Sequence, residues 1–312
     1  MLVLDLIAVG VSVLVLAYAS DYFVSFASRA SERLGLPQVF TGVIVVGFGT
    51  GLPELFTAIF ASLSHHPTLG VASAMGSTAI NVTLVVGLAA LVSAPAVSVR
   101  TLRREGIVGL VGAGFVAAVG ILSPSWWFGA VGIALFGAGV AFTLIGSGLD
   151  EGGGEVESER SEAGSLRPLW QLIGVAGVAL AFTLGSAELF LIFALKIATS
   201  IRLSTGFTGG VLLSFGASLP EIATSVQAAR RGFGSVVLGN VIGSSVFNTL
   251  MVAPLALLLA PSFRVVGLAA TGVATLVLVA VLWLFMRSGK RLSRLEGGLL
   301  LFLYLGFLAI VR

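Results

Sequence analysis

The chain has 312 residues, of which 57% are hydrophobic and 10% charged, with a mean hydropathy of +1.10. That balance excludes a water-soluble globular domain of this size and indicates a polytopic membrane protein. The formal charge of +3 raises the question of nucleic acid, which the placement of the basic residues answers below, and the absence of Cys excludes disulfides and thiolate metal centres.

A bilayer core about 30 Å thick takes roughly 20 apolar residues per helix. Cutting the sequence at polar and Pro/Gly punctuation predicts an all-α protein of about ten transmembrane helices, near residues 3–27, 37–63, 69–93, 105–122, 126–147, 169–196, 203–229, 234–259, 265–286 and 295–311. A barrel would instead show alternating segments of about ten residues. The first run lacks a basic n-region and a small-residue cleavage site, so it reads as a retained helix and no signal peptide. The second run carries "GFGTGLPE" (Gly47 to Glu54), and the turn "SHHPT" with His65 and His66 reads as a plain loop. The third carries "MGSTAIN" (Met75 to Asn81). After the fifth comes "GLDEGGGEVESERSEAGSLRP", residues 148–168, a glycine-rich and mostly acidic stretch that reads as a flexible linker between residues 1–147 and 169–312. It lacks the acid spacing of a calcium-binding hand. The seventh and eighth runs carry "SFGASLPE" (Ser214 to Glu221) and "IGSSVFN" (Ile242 to Asn248).

With ten spans, 13 of the 17 Lys and Arg fall on one side: Arg29, Arg33, Arg100, Arg103, Arg104, Arg160, Arg167, Arg230, Arg231, Arg287, Lys290, Arg291 and Arg294. The positive-inside tendency makes that side cytoplasmic and places both termini outside a cell membrane. The basic excess is thus a topology signal, and no nucleic-acid partner is expected.

Shifting the sequence against itself by 167 positions superposes Leu36, Phe40, Thr41, Gly42, Phe48, Gly49, Leu52, Pro53, Glu54, Thr57 and Ala61 on identical residues, 11 identities in 26 positions. The same shift pairs "MGSTAIN" with "IGSSVFN", and Asp21 with Glu188. Five spans per half is an odd number, so the second half enters the membrane from the opposite side. Inverted repeats of this kind place substrate and coupling ions at mid-depth, on interrupted helices.

The motif suits a cation. Pro53 cannot donate to the carbonyl of Gly49 and crowds that turn, so the helix is expected to kink or open around Gly47 to Pro53. Backbone carbonyls released at this depth are tolerated only where protein, water or an ion satisfies them. Glu54 brings charge to that place, with Thr50 one turn earlier, while Ser77 and Asn81 share one face of the next helix by their i, i+4 spacing. Glu221, Ser218, Ser244 and Asn248 are the counterparts. Hard oxygen donors without His or Cys suit Na⁺ or Ca²⁺ and argue against soft metals. An acid at the bilayer centre costs about 2.5–3.5 kcal/mol on insertion scales, so two acids are an expensive way to fill space. One Ca²⁺ or two Na⁺ would neutralise them; without metal the pair holds protons, so H⁺ competes. Asp21 and Glu188 read as helix-end or interhelical polar contacts.

The repeats "GFGTGLPELFTAIFA" with "AMGSTAIN", and "SFGASLPEIATSVQAA" with "GNVIGSSVFN", resemble the α-repeats of the cation/Ca²⁺ exchanger superfamily, closest to prokaryotic sodium/calcium exchangers. The resemblance covers essentially the whole chain. It implies that Glu54 and Glu221 are the central Ca²⁺ ligands and help bind Na⁺. Thr50, Ser77, Asn81, Ser218, Ser244 and Asn248 then complete the sites, with backbone carbonyls at Gly47 and Ser214. It also implies that the first and sixth helices slide as gates. The chain departs from the family where Thr50-Gly51 and Ala217-Ser218 stand for a Thr-Ser pair, where Ala72 to Thr78 replaces "GNxxGSN", and where Asn248 replaces a common acid. These changes bear on how many Na⁺ bind and how much charge moves per cycle.

The expectation is a transporter without cofactor or enzymatic activity, exchanging Na⁺ for Ca²⁺ by alternating access in a lipid bilayer. H⁺-coupled cation exchange is the alternative within transporters. A passive channel is a third reading, and an intramembrane acid protease a fourth, although such enzymes use Asp in a "GxGD" setting.

Overall fold

The computed structural model describes residues 2–36, 40–95, 99–147, 168–201, 214–262, 264–289 and 291–310. It is a helical bundle: α1 (Leu2–Arg33), α2a (Thr41–Thr50), α2b (Leu52–Leu63), α3 (Pro67–Val92), α4 (Val99–Leu122), α5 (Trp127–Ser147), α6 (Leu169–Ser200), α7a (Ser214–Ala217), α7b (Leu219–Arg230), α8 (Gly234–Leu259), α9 (Ala269–Gly289) and α10 (Arg294–Ile310). Six of these, α1, α3, α4, α6, α8 and α9, are long and apolar enough to cross a bilayer alone, and the bent pair α2a–α2b makes a seventh. The other expected spans fall short of that test for local reasons. The apolar stretch of α5 is short, α10 has 17 residues, and most of the N-terminal arm of the seventh span, like the linker 148–167, lies outside the described residues.

Burial sorts the helices into a core and a periphery. In α3 and α8, 72% and 78% of the membrane-length window is buried inside the protein, against 17% and 22% in α1 and α6. The core is therefore α3 crossed with α8, built from small and β-branched residues such as Val71, Ala74, Ala79, Val241, Val246 and Ala253. α1 and α6 lie alongside each other on its flank.

The packing obeys the 167-residue repeat. α2b rests on the end of α8 as α7b rests on the end of α3; α5 packs on α8 as α10 packs on α3; and α4 pairs with its counterpart α9. Even helix termini correspond. After α7b, Gly232 takes a left-handed φ of 75° and the chain closes with Phe233 N–H to Ala228 O at 2.9 Å. After α2b the equivalent position is His65, at φ 65°, closed by His66 N–H to Ala61 O at 2.8 Å. His65 is thus a helix cap in the left-handed conformation usually given to glycine.

Close approach of backbones fixes the crossing of α2a on α8. A Cβ at Gly42 would stand 2.6 Å from the Val236 carbonyl oxygen, and one at Gly243 2.5 Å from that of Val43. Only hydrogen fits there, so the bent helix can press directly on the opposite half.

Candidate functional site

Each half breaks a helix in the middle of the bundle. α2a is π-helical from Thr41 to Gly47, and the axis bends by 44° at Gly51 before α2b restarts with Pro53 inside its first turn. α7a ends at Ala217, and α7b restarts after Ser218 with Pro220 in the same place. Pro is accommodated there because the first turn of a helix has no partner for its N–H groups anyway. The expected opening is therefore a bend with a wide turn before it, not an unwound segment. Gly47 O still accepts from Gly51 N–H at 3.2 Å, and from the Ser244 hydroxyl at 3.0 Å.

Glu54 and Glu221 sit in the first turns of α2b and α7b, where the exposed N–H groups carry partial positive charge. Both are buried, at 1% and 0% exposure, and each lies within electrostatic reach of the other. The Ser77 hydroxyl faces Glu54, and the Thr50 hydroxyl, from the other half, faces Glu221. Even so, none of the four carboxylate oxygens completes a hydrogen bond.

The next helices add amides in matched positions. Asn81 opens a π-helical turn in α3 (Asn81–Val85), and Asn248 opens the corresponding turn in α8 (Asn248–Val252). Single π-turns recur at functional sites because they rotate side chains off the regular α register. Both amides are fully buried, with neither oxygen nor nitrogen bonded, and the buried Ser218 hydroxyl is likewise unpartnered. The turn of Asn81 packs on α7b, which carries Glu221, and the turn of Asn248 packs on α2b, which carries Glu54. An unsatisfied buried polar group costs about 1–3 kcal/mol, so unbonded groups on elements packed together in this way are unusual for a finished core.

Of the sequence candidates, Glu54, Glu221, Asn81, Asn248 and Ser218 thus form an unbonded polar set. Thr50, Ser77, Ser244 and Gly47 are buried beside it, with Thr50 donating to Val46 O at 3.0 Å. Ser214 begins α7a; its side chain lies outside the described residues. Asp21 stands apart, ion-paired to Arg231, and Glu188 is exposed on α6.

One buried polar residue escaped the sequence reading. Asn240 of α8 donates to Ser225 Oγ at 2.7 Å and Thr224 Oγ1 at 3.2 Å, while its Oδ1 lies 3.5 Å from the hydroxyls of Thr50 and Ser244. The internal repeat hid it, because the position 167 residues earlier is Ser73. Glu105, also buried, is satisfied by Arg104 at 2.9 Å and Thr143 at 3.0 Å and takes no part in the site.

The family model described as "Sodium/calcium exchanger protein" matches residues 4–145 and 171–312. The membrane protein MJ0091 of Methanocaldococcus jannaschii is 34% identical over 306 residues, covering 96% of this chain and 95% of that one. The sodium/calcium exchanger MaX1 of Methanosarcina acetivorans is 27% identical over 336 residues, 95% of either chain. Among solved structures, the sodium-calcium exchanger NCX_Mj soaked with zero Na⁺ and Ca²⁺ aligns with a TM-score of 0.86 at 28% identity over 100% of both chains. The same exchanger soaked with 2.5 mM Na⁺ and 10 mM Sr²⁺ aligns at 0.85. With family matches in both halves and similarity along the whole chain, this multi-pass membrane transporter belongs to the sodium/calcium exchanger family.

Proposed function

We propose that the protein exports Ca²⁺ in exchange for Na⁺ entering down its gradient, both ions using in turn a mid-membrane site centred on Glu54 and Glu221. The observation that carries this reading is the buried, unbonded set of four carboxylate oxygens, two amides and the Ser218 hydroxyl. A Ca²⁺ ion takes six to eight hard oxygen ligands, and this set offers that chemistry. Competition for one site yields exchange when the empty carrier, bearing two unneutralised charges, cannot reorient across the low-dielectric core. The two five-helix halves then exchange conformations by alternating access, joined by the linker 148–168, with the basic face cytoplasmic. Solved forms of NCX_Mj soaked in Na⁺, Ca²⁺ or Sr²⁺ supply the analogy for the ions.

H⁺ coupling is the second reading, favoured by Gly51 and Ala217 where a hydroxyl is usual. Isotopic Ca²⁺ flux into proteoliposomes under imposed Na⁺, K⁺ or H⁺ gradients separates the two. Uptake driven only by Na⁺ is expected. Glu54→Gln and Glu221→Gln keep volume and remove charge, so each is expected to abolish uptake in a protein that still elutes as a single species. Near-normal flux in both variants defeats the site assignment.

A further inference from the structure

We propose that Asn240 is a positioning residue for ion binding, holding Glu221 in register with the ligands of the opposite half. Its amide nitrogen is committed to α7b: it donates to Ser225 Oγ and Thr224 Oγ1, and lies 3.5 Å from the backbone carbonyl of Glu221 itself. The orientation of the amide is fixed by its surroundings. Thr224 already spends its proton on Pro220 O at 2.8 Å, so its oxygen must accept. The amide oxygen is thereby turned toward α2a, where it meets the hydroxyls of Thr50 and Ser244. One fully buried side chain on α8 thus touches the turn carrying Glu221 and the turn carrying Thr50 and Gly47.

The amide also suits a ligand-orienting task. A hydroxyl that coordinates a cation through its lone pair must point its proton elsewhere. For Thr50 and Ser244 the acceptors at hand are backbone carbonyls, Val46 O and Gly47 O, and the Asn240 oxygen. When the Gly47 carbonyl turns to an ion, the Ser244 proton needs a second acceptor, and Asn240 supplies it. Groups that hydrogen-bond a ligand from behind tune affinity by about 10–100-fold in metal sites.

Among the described residues the first half has no such device. The counterparts of Asn240 and Ser225 are Ser73 and Ala58, and there α2b meets α3 by direct contact, a Cβ at Gly70 standing 3.0 Å from the Ala58 Cα. The asymmetry makes a specific expectation: the second half is held by hydrogen bonds that substitution can release without opening the helix crossing.

The test uses full-length protein in Ca²⁺-loaded and Na⁺-loaded vesicles, and rests on the exchanger reading above. Asn240→Ser copies the first half. It is expected to raise the KM for Ca²⁺ about tenfold with a smaller change in maximal rate, to weaken equilibrium Ca²⁺ binding by the same factor, and to lower the ion-free Tm by a few degrees at most. Ser225→Ala removes the shortest bond and is expected to move KM the same way, about threefold. An unchanged KM in either variant overturns the proposal, as does a lowered Tm with KM intact, which is the signature of a purely structural role. If Asn240→Ser fails to fold, Ser225→Ala decides alone. Glu54→Gln in the same vesicles keeps the two ideas separate: flux surviving there defeats the site itself, whereas a dead Glu54→Gln beside a normal Asn240→Ser defeats only the role of Asn240.

Discussion

Asp21 of the first half and Arg231 of the second close a bidentate ion pair, Nε to Oδ1 and Nη2 to Oδ2, both at 2.7 Å. The hydrogen bond to Asp21, more than its charge, raises the Arg231 guanidinium further above an already high value, so the pair has no alkaline limit at working pH. Four residues earlier on α7b, Gln227 donates to Ala17 O of α1 at 3.0 Å. On the same flank Phe23, Val24 and Ala27 pack with Leu172, Ala176 and Ala228. At the opposite end the corresponding positions are Glu188, Ser64 and Phe60, with Glu188 and Phe60 exposed. α1 is therefore latched to α7b on the basic face, while among the described residues no ion pair joins α6 to α2b at the matching positions.

If α1 slides during exchange, Asp21→Asn shifts the population toward the form open on the basic face. Both partners are about a third exposed, which holds the pair to about 1 kcal/mol and the shift to about fivefold. The chain has no Cys, so Ser28→Cys gives a clean probe: Ser28 is buried at 2% with an unpartnered hydroxyl. Maleimide labelling of that site should accelerate several-fold in the Asp21→Asn background. An unchanged rate shows that the ion pair holds nothing shut.

The two matched helix ends make a prediction about stability alone. Gly232 has φ 75°, and no atom lies within 4 Å of the place a Cβ would take, so Gly232→Ala meets only the backbone penalty, about 1 kcal/mol. His65, at φ 65°, already bears that penalty, and His65→Gly is expected to relieve part of it. Thermal unfolding in detergent should show Tm falling in the first variant and holding or rising in the second.

Much of this architecture was legible because the chain states it twice. Pro53 and Pro220 mark the breaks, and the paired glutamates follow from the 167-residue shift. Asn81 and Asn248 were legible for the same reason, but the π-turns they begin were not, since nothing in "NVTLV" or "NTLMV" separates a π-turn from an α-turn. Comparison of the halves is blind wherever they differ. Asn240 aligns with Ser73 in the repeat, and Arg231 with Ser64, so neither the hydrogen-bonded hub nor the latch had an echo to reveal it. Those contacts join residues 190 to 210 positions apart, which only the folded chain brings together.

Glycine at the α2a–α8 crossing is a packing requirement. Gly243→Ala would push a methyl to 2.5 Å from the Val43 carbonyl oxygen and 2.6 Å from its Cα, both backbone atoms that cannot rotate away. A destabilisation of about 1–3 kcal/mol or more is expected, with transport lost because α2a carries Thr50. Gly114→Ala in α4 is the control. Nothing lies within 4 Å of that position, and Ala is the better helix former by about 1 kcal/mol, so folding and flux should be retained.

The charge of the site sets a prediction for the whole cycle. Among the described residues the buried acids are Glu54, Glu221 and Glu105, and Glu105 is already compensated by Arg104, which leaves two charges at the centre. One Ca²⁺ or two Na⁺ balance two charges equally, so exchange should be electroneutral. Each net charge moved across 100 mV is worth about 2.3 kcal/mol, a shift of roughly fiftyfold in the final Ca²⁺ ratio, which is easily measured with the potential clamped by K⁺ and an ionophore. Wild-type exchange should be indifferent to that clamp. Asn248→Asp adds a third acid beside the pair, in a residue whose amide makes no hydrogen bond to lose. It should favour a third Na⁺ over Ca²⁺ and make the cycle respond to voltage. A wild-type flux that already follows the clamp would mean that a further Na⁺ binds without a third carboxylate, its ligands drawn from hydroxyls and backbone carbonyls alone.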